Sequence, residues 1–484
     1  MSLVRDTATS AVATVVLTGS RLIVAFMLAR LLSPAVYGQF AFAQWMIDLI
    51  FMICSLGLPG AMTRFLPAIG GLRAEVSRRL LRSIFGFSAV ALAVSVAMFW
   101  IYLAVDLPGP LHMTLSLLLW CASALLVALL TPALQGLFRF DAIMVGNLVF
   151  AIAAPVSVAV LVRSPSLEGA ALALAIAWLL NAAASFITIR ARAPASATVP
   201  VGNVISGKYV AGYAMRTWLT TLISGLVWSR GELGILKLRV DSAHVAFYSL
   251  ALTLAGAVTQ GAALLTGALT SHLVRHWHAG DPHRMARILR VITQGVLSLT
   301  VVAALGLIGA GQLVLPLILG ADYQETYPIL AILSVASISI ACGCANTVLQ
   351  IETNAKFGLL INVVGLITLV VLSVAMTPFI GVLGAAAARA IAQTIVALAA
   401  FGRLGKMAGM ASVGRDLSSA YLLAVAALTA FCITIGLLNP GPVARIIGAM
   451  LIGTVLCMAI RAIIKVPFAT FAQLGSRMRE PDTA

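Results

Sequence analysis

Charge is what this sequence has least of. Charged side chains make up 10% of its 484 residues, against about 25% in a soluble domain, and no stretch gathers them densely enough to wet a surface. That shortage excludes a soluble globular protein. Hydrophobic residues reach 61% and the mean hydropathy is +1.08, so most of the chain must face lipid or other apolar helices. The short segments of alternating polarity that a membrane barrel needs are missing as well. Long, unalternated apolar runs take their place, the pattern of helices that each need about 20 residues to cross the hydrocarbon.

Reactive groups are equally thin. The six cysteines (Cys54, Cys121, Cys342, Cys344, Cys432 and Cys457) all fall inside apolar runs without metal-ligand spacing, where a thiol is a small apolar residue; no disulfide and no redox role is expected. No Walker loop, nucleophile elbow or zinc-hydrolase motif occurs, and the short outer joints offer no paired acids for glycosyl chemistry, so the chain reads as no enzyme and as needing no cofactor. Met1 to Ser10 is short and has no small-residue cleavage site, and the first apolar run continues to Leu32. That run is too long for a signal segment, so the first helix is expected to be retained.

What is present is a series of spans. Cutting at charge clusters and Pro/Gly joints predicts an all-α, polytopic membrane protein with about fourteen transmembrane helices, over 9–32, 37–58, 83–105, 111–133, 142–162, 168–189, 213–236, 243–268, 291–310, 326–350, 357–378, 381–402, 417–438 and 443–464. Three joints read as tight reversals: Leu32-Ser33-Pro34, Leu107-Pro108-Gly109-Pro110 and Asn439-Pro440-Gly441-Pro442. With both termini inside, 23 of the 31 Lys and Arg fall on the inner side, four on the outer side (Arg163, Lys237, Arg239, Arg445) and four within spans (Arg21, Arg30, Arg230, Arg389). Basic loops stay in the cytoplasm, so cytoplasmic termini follow. The net charge of +16 is then mostly topology, and no nucleic-acid partner is implied.

The connection running through Arg192-Ala-Pro-Ala-Ser-Ala-Thr-Val-Pro200 has linker composition. The chain divides accordingly into a first lobe of six spans over 1–192, a linker over 193–212, a second six-span lobe over 213–403, and two further spans with a cytoplasmic tail over 404–484. Sliding the second half against the first at an offset of 209 pairs Leu17 with Leu226, Ser20-Arg21 with Ser229-Arg230, Arg30 with Arg239, Ser33 with Ser242 and Val36 with Val245, six identities in twenty positions. Arginine is rare inside spans, so its two matches carry the weight. Two pseudo-symmetric six-helix lobes are the natural reading.

An ionisable side chain deep in a span normally faces a wet cavity or a partner, because exposure to lipid costs several kcal/mol or more. Arg21 lies mid-span in the first helix, with Thr14 and Thr18 behind it on a similar face, and Arg230 is its mate in the seventh span. The two guanidiniums could share a central cavity and hold an anion such as phosphate, or each could pair with a carboxylate, Asp48 or Glu232. Asp48, on one face of the second span with Gln44 and Ser55, serves equally as that counter-ion or as a proton carrier. Glu232 stands two residues from Arg230 and would meet it only if the helix unwinds at Gly231; otherwise it bridges to a neighbour or carries a coupling ion. Arg64 could guard the inner mouth. Arg30, Lys237 and Arg239 suit interfacial snorkelling, and Arg389 with Gln393 suits a structural bond to backbone or to an amide in a neighbouring span. His272, His276, His278 and His283 crowd an inner loop, with a metal pair conceivable from their spacing but only Asp281 nearby to support it. A basic interfacial loop is favoured, with no metal.

These residues also carry a resemblance. Ser20-Arg21 through Leu28-Ala29-Arg30-Leu-Leu-Ser-Pro34-Ala-Val-Tyr37-Gly38, and on to Leu56-Gly57-Leu-Pro-Gly-Ala-Met-Thr-Arg64, resembles the opening of the polysaccharide-transport branch of the multidrug/oligosaccharidyl-lipid/polysaccharide (MOP) flippase superfamily. Asp241-Ser-Ala-His-Val-Ala-Phe-Tyr248 echoes it in the second half. The resemblance implies a transporter that moves undecaprenyl-diphosphate-linked repeat units from the inner to the outer leaflet of a bacterial cytoplasmic membrane by alternating access. It implies that Arg21, Arg230 and Arg64 contact the diphosphate or acidic sugars, and that Asp48 stands where lipid II flippases carry an acid. Polymerase and glycosyltransferases of the same pathway would be partners beside membrane lipid. Two other readings stand beside it: a drug/cation antiporter of the same superfamily, which needs acidic cavity residues, and a membrane glycosyltransferase or polymerase, which needs a large outer loop.

Overall fold

The chain is helical because its apolar runs leave no backbone polar group a partner outside its own segment, and in lipid a helix satisfies them all. The computed structural model describes residues 3–67, 74–191, 207–278, 282–352, 356–407 and 409–465, and among these every regular element is helical. Among the described residues thirteen helical stretches are long and apolar enough to cross a membrane, one of them, Thr326–Leu349, running through a 3-10 segment. The chain divides into two compact units, one formed by Met1–Leu233 with Val240–Ala246 and the other by Gly234–Arg239 with Phe247–Ala484.

The first unit contains α1 (Leu3–Leu31), α2 (Pro34–Cys54), α3 (Leu58–Phe65), α4 (Ala74–Asp106), α5 (Leu111–Gly136), α6 (Phe140–Leu161), α7 (Leu167–Ala191) and α8 (Gly207–Trp228). Helix α6 packs on both α1 and α7, α5 on α7, and α3 on α5 and α8. Small residues set the close approaches. At Gly146 a β-carbon would stand 2.3 Å from Ser185 Oγ and 2.7 Å from Asn181 Oδ1, so α6 and α7 meet along a seam where small side chains let the backbones approach. Asn181 Nδ2 donates to Asn147 Oδ1 at 3.3 Å, and Asn147 Nδ2 donates to Ala13 O on α1 at 3.1 Å.

Two interruptions in this unit depart from the expected spans. The second span ends at Cys54, and the chain turns through Leu56 and Gly57, both at positive φ (44° and 77°), before α3 begins. That turn strips α2 of its last intrahelical partners. Trp218 on α8 replaces them, its indole N–H donating to Met52 O at 3.0 Å and to Ile53 O at 3.1 Å. The expected span over 213–236 is also broken: α8 stops at Trp228, and a short helix α9 (Leu233–Lys237) follows. At the break Gly231 N–H reaches back to Leu226 O at 3.2 Å, and a β-carbon on Gly231 would lie 2.3 Å from that same oxygen. Gly231 is therefore required where its counterpart in the repeat, Leu22, sits inside the unbroken α1. Helix α8, with Lys208, Arg216 and several Ser and Thr along it, is not among the thirteen spanning candidates.

The second unit holds most of α10 (Ser242–His278), then α11 (Pro282–Leu319), α12 (Thr326–Ser337), α13 (Gly343–Glu352), α14 (Lys356–Ile380), α15 (Val382–Gly405), α16 (Ala411–Leu438) and α17 (Pro442–Ile464). Helices α14 and α15 form an antiparallel pair, and α11 packs on α12, α16 and α17. A 3-10 stretch over Ile338–Cys342 joins α12 to α13 within one expected span. The three tight joints appear as read: Ser33 precedes Pro34 at the start of α2, Pro110 caps α5, and Asn439 ends α16 in the left-handed conformation before Pro442 opens α17.

Candidate functional site

Helix α1 carries Leu17 and Arg21 one turn apart, so both meet the same neighbour. With Gln44 and Asp48 of α2, also one turn apart, they line a cavity of about 560 Å³ inside the first unit, closed by residues of α3, α5, α6 and α7. That volume falls in the range of sites that take small organic ligands. Arg21 and Asp48 both keep open surface. Among the described residues no ion pair joins them, yet they lie close enough to attract each other through space.

The remaining lining is aliphatic, aromatic and neutral-polar, with Ile47, Leu125 and Val127 among its apolar members. The Arg21 guanidinium stands 5.2 Å from the centre of the Trp178 ring, within cation–π range. Trp178 is fixed in turn by Phe150, with ring centres 4.1 Å apart. Trp120 stacks on Phe40 at 5.0 Å with planes 4° from parallel. Asn147, Gln135, Thr63 and Thr131 supply amides and hydroxyls. Asp48 and these groups can bond a ligand's hydroxyls, the tryptophans can cover its apolar faces, and Arg21 can pair with an anionic group on it.

The structure brings only some of the expected residues to this cavity. Arg21, Asp48 and Gln44 line it; Thr14 and Thr18 do not, and Ser55 is buried at the end of α2. Arg230 lies outside the lining, in the broken segment after α8, but close enough to act electrostatically on Arg21, Asp48 and Tyr37. The condition set for Glu232 is met: the helix unwinds there, and Glu232 is fully buried in the same segment. Arg64 is held apart, 4.3 Å from the Tyr213 ring centre and donating to Tyr209 Oη at 3.3 Å. Arg30 and Arg239 are exposed near helix ends. Arg389 is buried in the second unit; with the Gln393 amide turned so that its nitrogen donates to Ala336 O at 3.2 Å, its oxygen accepts from Arg389 Nη2 at 3.2 Å, a bond within α15 and not the one to a neighbouring span that was expected. The His272, His276, His278 and His283 cluster lies outside the residues whose side chains are described.

A many-spanned helical bundle with a cavity sunk in its first unit defines a polytopic membrane protein, and solved structures share its fold. The fold is similar to that of the lipid II flippase MurJ in an inward closed conformation, with 12% identity and a TM-score of 0.64 over 94% of this chain and 98% of that one. It is also similar to a mutant of the Vibrio cholerae MATE transporter VcmN (19% identity, TM-score 0.57, 84% and 97% covered). An inward-facing multidrug resistance MATE family transporter of the MOP superfamily matches too (12% identity, TM-score 0.58, 84% and 95% covered). At such identities these likenesses establish the fold. No curated protein sequence matches the chain. Residues 3–270 match the polysaccharide biosynthesis protein family, more than half of the chain, and the chain belongs to that family.

The cavity residues that sequence reading missed are Trp120, Trp178, Asn147, Gln135, Thr63 and Thr131. One signal was available: Trp178, Asn181 and Ser185 share a face of α7 at helical spacing.

Proposed function

We propose that this protein is a flippase that moves an undecaprenyl-diphosphate-linked oligosaccharide from the cytoplasmic to the outer leaflet of a bacterial cytoplasmic membrane, with both its termini in the cytoplasm. The observation that carries the reading is the pairing of Arg21 with Trp178 in a cavity where Asp48 and several amides and hydroxyls stand among apolar walls. A diphosphate-sugar headgroup cannot cross hydrocarbon unaided, whereas a cavity lets it ride among polar groups while its polyprenyl tail stays in lipid. Arg230 adds positive potential behind the lining and favours an anionic guest. With the cell interior negative, moving two negative charges outward releases roughly 4–5 kcal/mol per 100 mV, so the membrane potential is available as a driving force without ATP.

Asp48 favours a second reading. A cation/drug antiporter needs an acid in its cavity, and here one carboxylate faces one guanidinium in the lining. Gene deletion separates the two. The flippase reading predicts loss of surface polysaccharide, accumulation of lipid-linked glycan on the inner leaflet and unchanged drug susceptibility. Drug sensitivity with intact surface polysaccharide would establish the antiporter instead.

A further inference from the structure

A second concave site lies in the second unit, remote in sequence from the cavity of Arg21. Where α14 begins and α15 ends, Lys356, Arg403 and Lys406 converge on an opening of about 760 Å³ whose other walls are Phe357, Ala399 and Gly402. Three of the six lining residues are cations and none is an acid. Arg403 stands 5.9 Å from the centre of the Phe357 ring, which gives its guanidinium a fixed seat instead of a free sweep into solvent. Gly402 is exposed, and a β-carbon placed on it would meet nothing within 4 Å, so the opening is not closed by a neighbouring side chain. All three cations lie at the ends of two spanning helices, on the side that the distribution of Lys and Arg assigns to the cytoplasm. A loop retained only by the positive-inside bias needs charge but no concavity; here the charge lines a cleft between two packed helices.

We propose that this cleft binds the phosphate-bearing headgroup of an anionic membrane lipid. Arg403 holds the phosphate oxygens in its planar fork, the two lysines neutralise the remaining charge, and Phe357 and Ala399 meet the glycerol and first acyl carbons. The site is separate from the transport cavity, and its test reads binding alone, so it stands or falls independently of the flippase assignment.

The test is thermal unfolding of the purified full-length protein in a neutral detergent, titrated with phosphatidylglycerol, with phosphatidylcholine and with sodium phosphate. Phosphatidylglycerol should raise the midpoint saturably, and phosphatidylcholine should leave it unchanged. The triple change Lys356→Gln, Arg403→Gln and Lys406→Gln should raise the half-saturating lipid concentration about tenfold or more, since each basic residue near an anionic surface contributes to its attraction. Removing three inner cations outside the cleft, by Arg82→Gln, Arg216→Gln and Arg287→Gln, should change it less than about twofold by the same reasoning. Should the first triple variant fail to fold, the charge-keeping pair Lys356→Arg and Lys406→Arg should bind as the parent does, and Arg403→Gln alone should not. Equal weakening by both triple variants would reduce the effect to general surface charge and overturn the proposal. Half-saturation by inorganic phosphate at the concentration that suffices for the lipid would overturn it in favour of a soluble-phosphate site.

Discussion

The Arg21 guanidinium rests 5.2 Å from the centre of the Trp178 ring, on the wall of the cavity that Asp48 also lines. A guanidinium held against an aromatic face keeps its N–H groups available for a ligand while losing less hydration energy than one buried in aliphatic surroundings. Trp178→Ala removes that support, worth about 1 kcal/mol, and should raise the half-saturating substrate concentration about fivefold. Trp178→Phe should retain part of the effect. Transport kinetics in membrane vesicles read both.

Trp218→Phe should destabilise the protein by about 1 kcal/mol, the net worth of the lost hydrogen bonding, because it strips Met52 O and Ile53 O of the indole N–H that replaces their missing helical donors. A lowered unfolding midpoint in detergent, with ring packing otherwise kept, is the expected outcome. An unchanged midpoint would mean that water serves those carbonyls equally well.

Gly57→Ala should cost more than about 1 kcal/mol, through strain at its φ of 77° and through a β-carbon 2.0 Å from Ala214 O. Gly256→Ala is the internal control. Its β-carbon would meet nothing within 4 Å in the middle of α10, so it should be neutral or stabilising by up to about 1 kcal/mol. Thermal unfolding of the two variants side by side checks the contrast.

Asp241 opens α10 outside the spans. It accepts from the backbone N–H of His244 at 3.0 Å, which, with the His244 side chain, holds its carboxyl below the ordinary value of 3.8. A lowered folded-state value means that this stabilisation is complete above the unfolded-state pKa and is lost as the pH falls through the folded one. The difference in midpoint between the parent and Asp241→Ala should therefore begin to shrink as the pH falls through about 4 and vanish only below the lowered folded-state value.

How much of this was legible in the sequence follows from what each residue costs in lipid. Arg21 and Asp48 are readable because a charge inside a span demands an explanation, and both do line the cavity. Trp178 and Trp120 are not, since tryptophan is at home in an apolar helix whether or not it faces a ligand. The tight joints at Pro34, Pro110 and Pro442 are written in local chemistry. The break at Gly231 was a stated condition for Glu232 and is realised, whereas the turn at Leu56 and Gly57 was hidden inside an apolar run. The bond from Arg64 to Tyr209 spans 145 positions, a distance over which no pattern in one sequence reports contact. Thr14 and Thr18 share a helix with Arg21, but the cavity is lined by the face of α1 that carries Leu17 and Arg21, and Thr18, though at their level, is not on it.

The central claim is that Arg21 receives the anionic headgroup. Its most direct measurement is the transfer of a diphosphate-linked glycan lipid between leaflets of reconstituted vesicles, comparing Arg21→Ala and Arg21→Lys with Arg163→Ala, which removes an exposed cation from the joint after α6. Transfer should fall at least about tenfold in Arg21→Ala, as expected for loss of a charge-assisted hydrogen bond worth more than 1.4 kcal/mol, recover in part in Arg21→Lys, and stay at the parent rate in Arg163→Ala. Parent-level transfer by Arg21→Ala, with the protein folded and present in equal amount, would contradict the account.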